Sequence, residues 1–151
     1  MAHAYGHLYV DGGSTAQTIT CGTPAVMTGF ATAGECSNAL GNLSVVVTAA
    51  SDKITVKKGV YLVRFNCSGY TDVTSDLADI TAKLYTENAT DDTFAAYAGL
   101  SARASFGEVD AYGHLGFTGI IETTSAHDCD LKVYVDATFA SGDSSETTID
   151  F

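Results

Sequence analysis

The stretch Gly59-Val-Tyr-Leu-Val-Arg-Phe-Asn-Cys-Ser-Gly69, entered through the turn Lys57-Lys58-Gly59, decides the fold class. At a side-chain period of two, Tyr61, Val63, Phe65 and Cys67 fall on one face and Val60, Leu62, Arg64, Asn66 and Ser68 on the other. The first face is clean core; the second is mixed. A strand of this kind has a neighbour on both sides, either a loop of the same chain or another subunit.

Working outward, the same period recurs. Residues 43–48 form a β-branched run that Ser51-Asp52 turns into residues 53–56. A polar connection is expected at 70–76. Residues 77–86 set Ala78, Ile80, Ala82 and Leu84 against Asp79, Thr81, Lys83 and Tyr85, the pattern of a half-exposed antiparallel strand, and 87–92 close it as an acidic turn. Residues 94–106 are rich in Ala. Phe94, Ala96, Ala98, Leu100, Ala102, Ala104 and Phe106 nevertheless keep strict period two, which predicts a strand. In 114–124, Leu115, Phe117, Gly119 and Ile121 oppose His114, Gly116, Thr118, Ile120 and Glu122. In 131–140, Leu131, Val133, Val135, Ala137 and Phe139 point inward, with Lys132, Tyr134, Asp136 and Thr138 outward. A short strand at 146–151 ends the sequence.

Toward the N-terminus, residues 4–10 alternate Tyr5, His7 and Tyr9 with Ala4, Gly6, Leu8 and Val10, a strand with an aromatic face stopped by Asp11-Gly12-Gly13-Ser14. Residues 17–20 form a short strand. The Gly-rich stretch 21–42, which holds the single proline, Pro24, reads as a long loop interrupted by a short strand near 25–30. About eight to ten strands without a βαβ rhythm predict an all-β, two-sheet antiparallel sandwich or barrel. Strands near residues 5, 62, 118 and 149 carry Tyr, His, Leu, Ile and Thr on their second face, whereas those near 81 and 134 show charge to water. One sheet is therefore expected to be covered and the other exposed.

The totals agree. A chain of 151 residues, 46% apolar and 17% charged, with 15 Gly and no Trp, is read as one domain, 1–151, with a single sizeable core. Seven basic against 18 acidic residues give a formal net charge of −11, which argues against nucleic-acid backbones and anionic lipid as partners. The start Met1-Ala2-His3-Ala4-Tyr5-Gly6-His7 lacks the basic and apolar regions of a signal peptide, and no apolar run approaches a membrane span. Synthesis in the cytoplasm without a signal peptide is the expectation.

The order short strand, long loop, Leu43-Ser-Val-Val-Val47, Lys58-Gly-Val-Tyr-Leu-Val63, His114-Leu-Gly-Phe-Thr-Gly-Ile-Ile121 and Asp130-Leu-Lys-Val-Tyr-Val135 resembles the tumour-necrosis-factor-like jelly roll of the cytokines and complement globular heads. The residues that carry the likeness are Gly59 and Tyr61 with the alternation after them, the Gly-rich strand 114–121 and the Asp130-Leu131 strand start. The resemblance implies a homotrimer with Leu62, Arg64, Asn66, His114, Thr118 and Ile120 turned toward neighbours, and the aromatic face Tyr5, His7 and Tyr9 is placed with them. The final strand, Thr147 to Phe151, lacks the longer apolar ending of the cytokines.

An acidic protein of this kind without a signal is similar to the trimeric jelly rolls that tailed phages set on their heads as decoration or cement proteins. That analogy implies a non-enzymatic structural virion protein on the capsid surface, with itself and a phage major capsid protein as partners. Docking is expected from Met1, Ala2, His3 and Ala4 and from the loop 21–42, with Thr28, Gly29 and Phe30 at its centre; that loop carries only one charge, Glu35. The alternative is a receptor- or glycan-binding head of a fibre, or a complement-like binding module.

Chemistry is sparse. Cys21, Cys36, Cys67 and Cys129 form no Cys-x-x-Cys pair and read as small hydrophobes, with Cys21–Cys36 the candidate disulfide. The pentapeptide Ala4-Tyr-Gly-His-Leu8 recurs as Ala111-Tyr-Gly-His-Leu115, either a duplicated binding element or common strand-entry chemistry. Asp128 and Asp130 beside His127 offer two carboxylates where calcium needs six or more oxygens, and read as a solvated turn. No nucleophile elbow, phosphate loop or carboxylate pair points to catalysis, so no catalytic residue, metal or cofactor is assigned.

Overall fold

The computed structural model describes residues 5–9, 16–20, 22–30, 32–36, 45–71, 77–88, 93–105, 111–124, 128–139 and 146–150. Apart from one short 3-10 turn, Ala49–Ser51, the regular elements are strands: β1 Tyr5–Tyr9, β2 Ala16–Thr20, β3 Ala25–Val26, β4 Thr32–Cys36, β5 Val45–Thr48, β6 Lys53–Val56, β7 Gly59–Thr71, β8 Leu77–Asn88, β9 Thr93–Ser105, β10 Ala111–Thr123, β11 Cys129–Phe139 and β12 Glu146–Asp150. One sheet has the order β10-β7-β12-β2 and the other β5-β6-β11-β8-β9, with β3 on β11 beyond the end of β6. A separate ribbon pairs β1 with β4. Every pairing is antiparallel. The result is a jelly-roll sandwich.

The organising stretch behaves as its period demands. Tyr61, Val63, Phe65 and Cys67 turn inward, and β7 is laddered to β10 from Gly59↔Thr123 to Thr71↔Ala111. Between the sheets, Leu115, Phe117 and Ile121 of β10 and Ile19 of β2 meet Ile80, Ala82, Leu84, Leu131, Val135 and Ala137 of the facing sheet. The turn into β7 is held by Thr123, which is buried: Gly59 N–H donates to its Oγ1 at 3.0 Å, and that hydroxyl donates to Lys57 C=O at 2.7 Å.

Five expectations need correction. The described residues hold twelve strands rather than eight to ten, because β4 lies inside the stretch expected as loop and β3 shrinks to two residues. Thr32-Ala-Gly-Glu-Cys36 has no apolar alternation to reveal it; its pairing with β1 is a backbone ladder, which needs no side-chain pattern. Second, β7 runs on to Thr71 and β8 to Asn88, into the expected connection and turn, since polar residues ladder as well as apolar ones. Third, β1 does not join the sheet of β7, β10 and β12.

Fourth, β9 does not keep one period. Lys83 pairs with Ser101 but Tyr85 with Ala96, so residues 97–100 oppose Leu84 alone, and Gly99 sits at φ +84° within this bulge. Leu100, Ala102 and Ala104 consequently face the core, while Phe94 turns out beneath Lys132 Nζ, 5.0 Å from the ring centroid. Fifth, the outward face of the β5–β9 sheet is not simply charged. Tyr85 and Tyr134 stack at 4.1 Å with Phe94 beside them, an aromatic cluster created by register.

Candidate functional site

Because β7 and β10 are in register along their full length, their outward side chains form matched pairs: Val60 with Glu122, Leu62 with Ile120, Arg64 with Thr118, Asn66 with Gly116 and Ser68 with His114. Directly opposed residues of an antiparallel pair have Cβ atoms about 4.5–5.5 Å apart, so each pair is one patch of surface. Leu62 is 74% exposed, Ile120 67% and Val60 68%. The face therefore grades from an apolar end at Val60, Leu62 and Ile120 to a polar end at Asn66, Ser68 and His114. Gly116 leaves room for Asn66 to lie across it, since a Cβ there would stand 2.7 Å from the Asn66 side-chain amide.

At the polar end this face borders a shallow cleft of about 630 Å³ that reaches β9, lined by Arg64, Arg103, His114 and Leu62 among others. Arg103 pairs with Asp79 on the neighbouring β8, and that carboxylate pushes the guanidinium pKa up. A second cavity, of about 510 Å³, lies between β1 and β7 over the inner face of the other sheet.

The six residues expected from β7 and β10, Leu62, Arg64, Asn66, His114, Thr118 and Ile120, thus share one exposed face. Tyr5, His7 and Tyr9 lie elsewhere, on the β1–β4 ribbon, where they form an exposed row with ring centroids 6.4 and 5.7 Å apart. In the loop after β3, Thr28 is exposed, Gly29 takes φ +89°, and Phe30 packs half-buried against the core. Gln17 holds this loop, its amide donating to Val26 C=O at 2.5 Å and accepting from Thr28 N–H at 3.1 Å. Met1 to Ala4, and the side chains of Cys21 and Cys36, lie outside the described residues. Val60 and Arg103 were not singled out from sequence. The period that exposes Leu62 also exposes Val60, whereas nothing in the sequence brings Arg103 beside Arg64.

Asp130 is not part of a solvated turn. It is buried at the start of β11, ion-paired with Lys53 of β6 and accepting from Thr55 Oγ1 at 2.5 Å, while Asp128 stays exposed. No group of three or more His, Cys, Asp or Glu able to hold a metal occurs among the described residues. Burial pushes the Cys67 thiol up to about 12 and raises that of Cys129, so both are protonated at neutral pH and lack thiolate character. Of the recurring pentapeptide, residues 5–8 lie on β1 and residues 111–115 on β10, in different sheets, and Ala4 is outside the described residues.

This arrangement defines a TNF-like jelly-roll sandwich, the class that comparison with solved structures also returns. The Eiger TNF from S. frugiperda matches with a TM-score of 0.57 and 12% identity, over 99% of this chain and 91% of that one. No family model and no curated protein matches by sequence. At that identity the likeness is one of fold alone.

Proposed function

We propose that this chain is a non-enzymatic assembly protein: a homotrimer formed through the outward face of β7 and β10, serving as a decoration (cement) protein bound to the major capsid protein of a phage head. The observation that carries self-association is the Leu62–Ile120 pair, 74% and 67% exposed, with Val60 beside it. Soluble monomers seldom leave a contiguous apolar patch uncovered, and further copies arranged about a closed axis cover it. Three weak docking contacts held on one rigid trimer gain orders of magnitude in avidity over one, which suits a repeating shell. The loop around Thr28 and Gly29 is the docking element, because it carries little of the chain's negative charge. In this reading the protein is made in the host cytoplasm, resides on the virion surface, and uses no cofactor, nucleic acid or membrane.

Light scattering on the purified protein tests assembly: a trimer is expected at micromolar concentration, and Leu62→Asp should give monomers or aggregates. A stable folded wild-type monomer would remove the assembly reading. For docking, replacing residues 28–33 with Gly-Ser should leave the trimer intact and abolish adsorption to undecorated capsids. Intact trimers that ignore such capsids rule out the cement role.

A second reading, a receptor- or glycan-binding head, is favoured by the Tyr5, His7, Tyr9 row, which stands exposed and apart from the proposed interface. Glycan binding lost in Tyr5→Ala with the trimer unchanged would select it.

A further inference from the structure

The polar end of the β7–β10 face reverses the charge of the chain. The cleft of about 630 Å³ there is lined by Arg64, Asn66, Arg103, His114 and Thr118 and, among the described residues, by no acidic side chain, although acids outnumber bases 18 to 7 in the sequence. Arg103 adds little to this balance, because Asp79 holds its guanidinium. Arg64 differs: among the described residues no carboxylate pairs with it. Its guanidinium is nevertheless fixed. With its amide turned so that both ends are satisfied, Asn66 donates to Phe65 C=O at 3.1 Å and accepts from Arg64 Nε at 2.9 Å. Asn66 can lie this way because Gly116, opposite it, has no Cβ. The Nε bond draws the Arg64 fork along β7 toward the Gly116 position, between the exposed Thr118 and His114 of β10, and leaves both terminal nitrogens for another acceptor.

We propose that this cleft is a binding site for a small oxyanion, a carboxylate, phosphate or sulfate group, held by the terminal N–H groups of Arg64 between the Thr118 hydroxyl and the His114 imidazole. A guanidinium presents parallel donors that match a pair of anionic oxygens, and one already oriented loses less freedom on binding. A cleft of this size admits a small molecule. Its openness to water keeps the affinity low, since exposed ion pairs are worth little. The site is complete within one copy and so stands apart from the assembly reading. The oxyanion comes either from a free solute or from an acidic side chain of a neighbouring copy, and dilution separates the two sources.

The probe is inorganic phosphate, read by the backbone and imidazole NMR shifts of the full chain, with sodium chloride holding the ionic strength constant. Saturable shifts centred on residues 64–66, 114 and 116–118 are expected at millimolar phosphate. Arg64→Gln should weaken binding at least tenfold, and Arg64→Lys should weaken it by a smaller factor, because a point charge does not replace the fork. Lys83→Gln, outside the cleft, should leave binding unchanged. Shifts that appear only when the protein is diluted support the site and assign its oxyanion in the assembled state to a neighbouring copy. The proposal is overturned by the absence of saturable shifts at every protein concentration, by the same shifts on raising sodium chloride alone, or by undiminished binding in folded Arg64→Gln.

Discussion

Two side chains anchor the outer ends of this sandwich by polar contacts made in buried surroundings. Thr123 accepts from Gly59 N–H and donates to Lys57 C=O, which joins the end of β10 to the turn that launches β7. Thr123→Val keeps the shape but leaves the Gly59 donor unmet, and an unsatisfied buried group is worth about 1–3 kcal/mol. Urea unfolding should show a loss of that order with an unchanged slope. Asp130 illustrates a balance of opposing effects. Burial alone would raise its pKa, yet hydrogen bonds from Lys53 and Thr55 and the Lys53 charge outweigh it and hold the carboxyl below its ordinary value of 3.8. With the folded pKa depressed, the stabilisation is present above the ordinary value and is lost as pH falls through the lower, folded one. Asp130→Asn should be less stable than wild type at neutral pH and lose less further stability below about pH 4, checked by urea midpoints measured against pH.

At the level of elements, β9 and β10 approach closely at Gly119. A Cβ on Gly119 would run into Leu100 Cδ2, and Leu100 is held there because the bulge around Gly99 turns it into the core. Gly119→Ala should therefore act as overpacking, costing about 1–3 kcal/mol. Leu100→Ala by itself should cost about 2–5 kcal/mol. In the double variant the new methyl enters the space the leucine vacated, so the combined loss should fall short of the sum by more than 0.5 kcal/mol or so. Additive losses in thermal or urea unfolding would mean that the two residues do not share this space.

For the whole molecule, the exposed Val60, Leu62 and Ile120 leave one end of the outward β7–β10 face apolar in a chain that is strongly acidic. If copies cover that face, unfolding and dissociation are one event and the melting temperature rises with protein concentration. A tenfold dilution should lower it measurably in the wild type, and Leu62→Asp should remove the dependence along with the assembly. Salt acts in the same direction: screening the mutual repulsion of chains each at −11 should favour the assembled form, seen as a larger scattering mass at higher ionic strength.

The all-β class, the strands around residues 62, 80, 117 and 135 and their inward residues were determined by the sequence itself. A period of two over long β-branched and aromatic runs leaves one choice of buried face, and the same alternation placed Leu62 and Ile120 outward. Pairing and register were decided only by the tertiary structure. Nothing local says that Leu62 stands opposite Ile120, that β1 leaves the main sheets for β4, or that the bulge at residues 97–100 turns Phe94 outward. Backbone ladders carry no side-chain signature, which hid β4. The partners of Asp130, more than seventy residues away in sequence at Lys53 and Thr55, meet it only because β6 and β11 pair. Alternation is a property of one strand, but a cleft that brings β9 to β7 and β10 is a property of their placement, and long-range packing alone sets that.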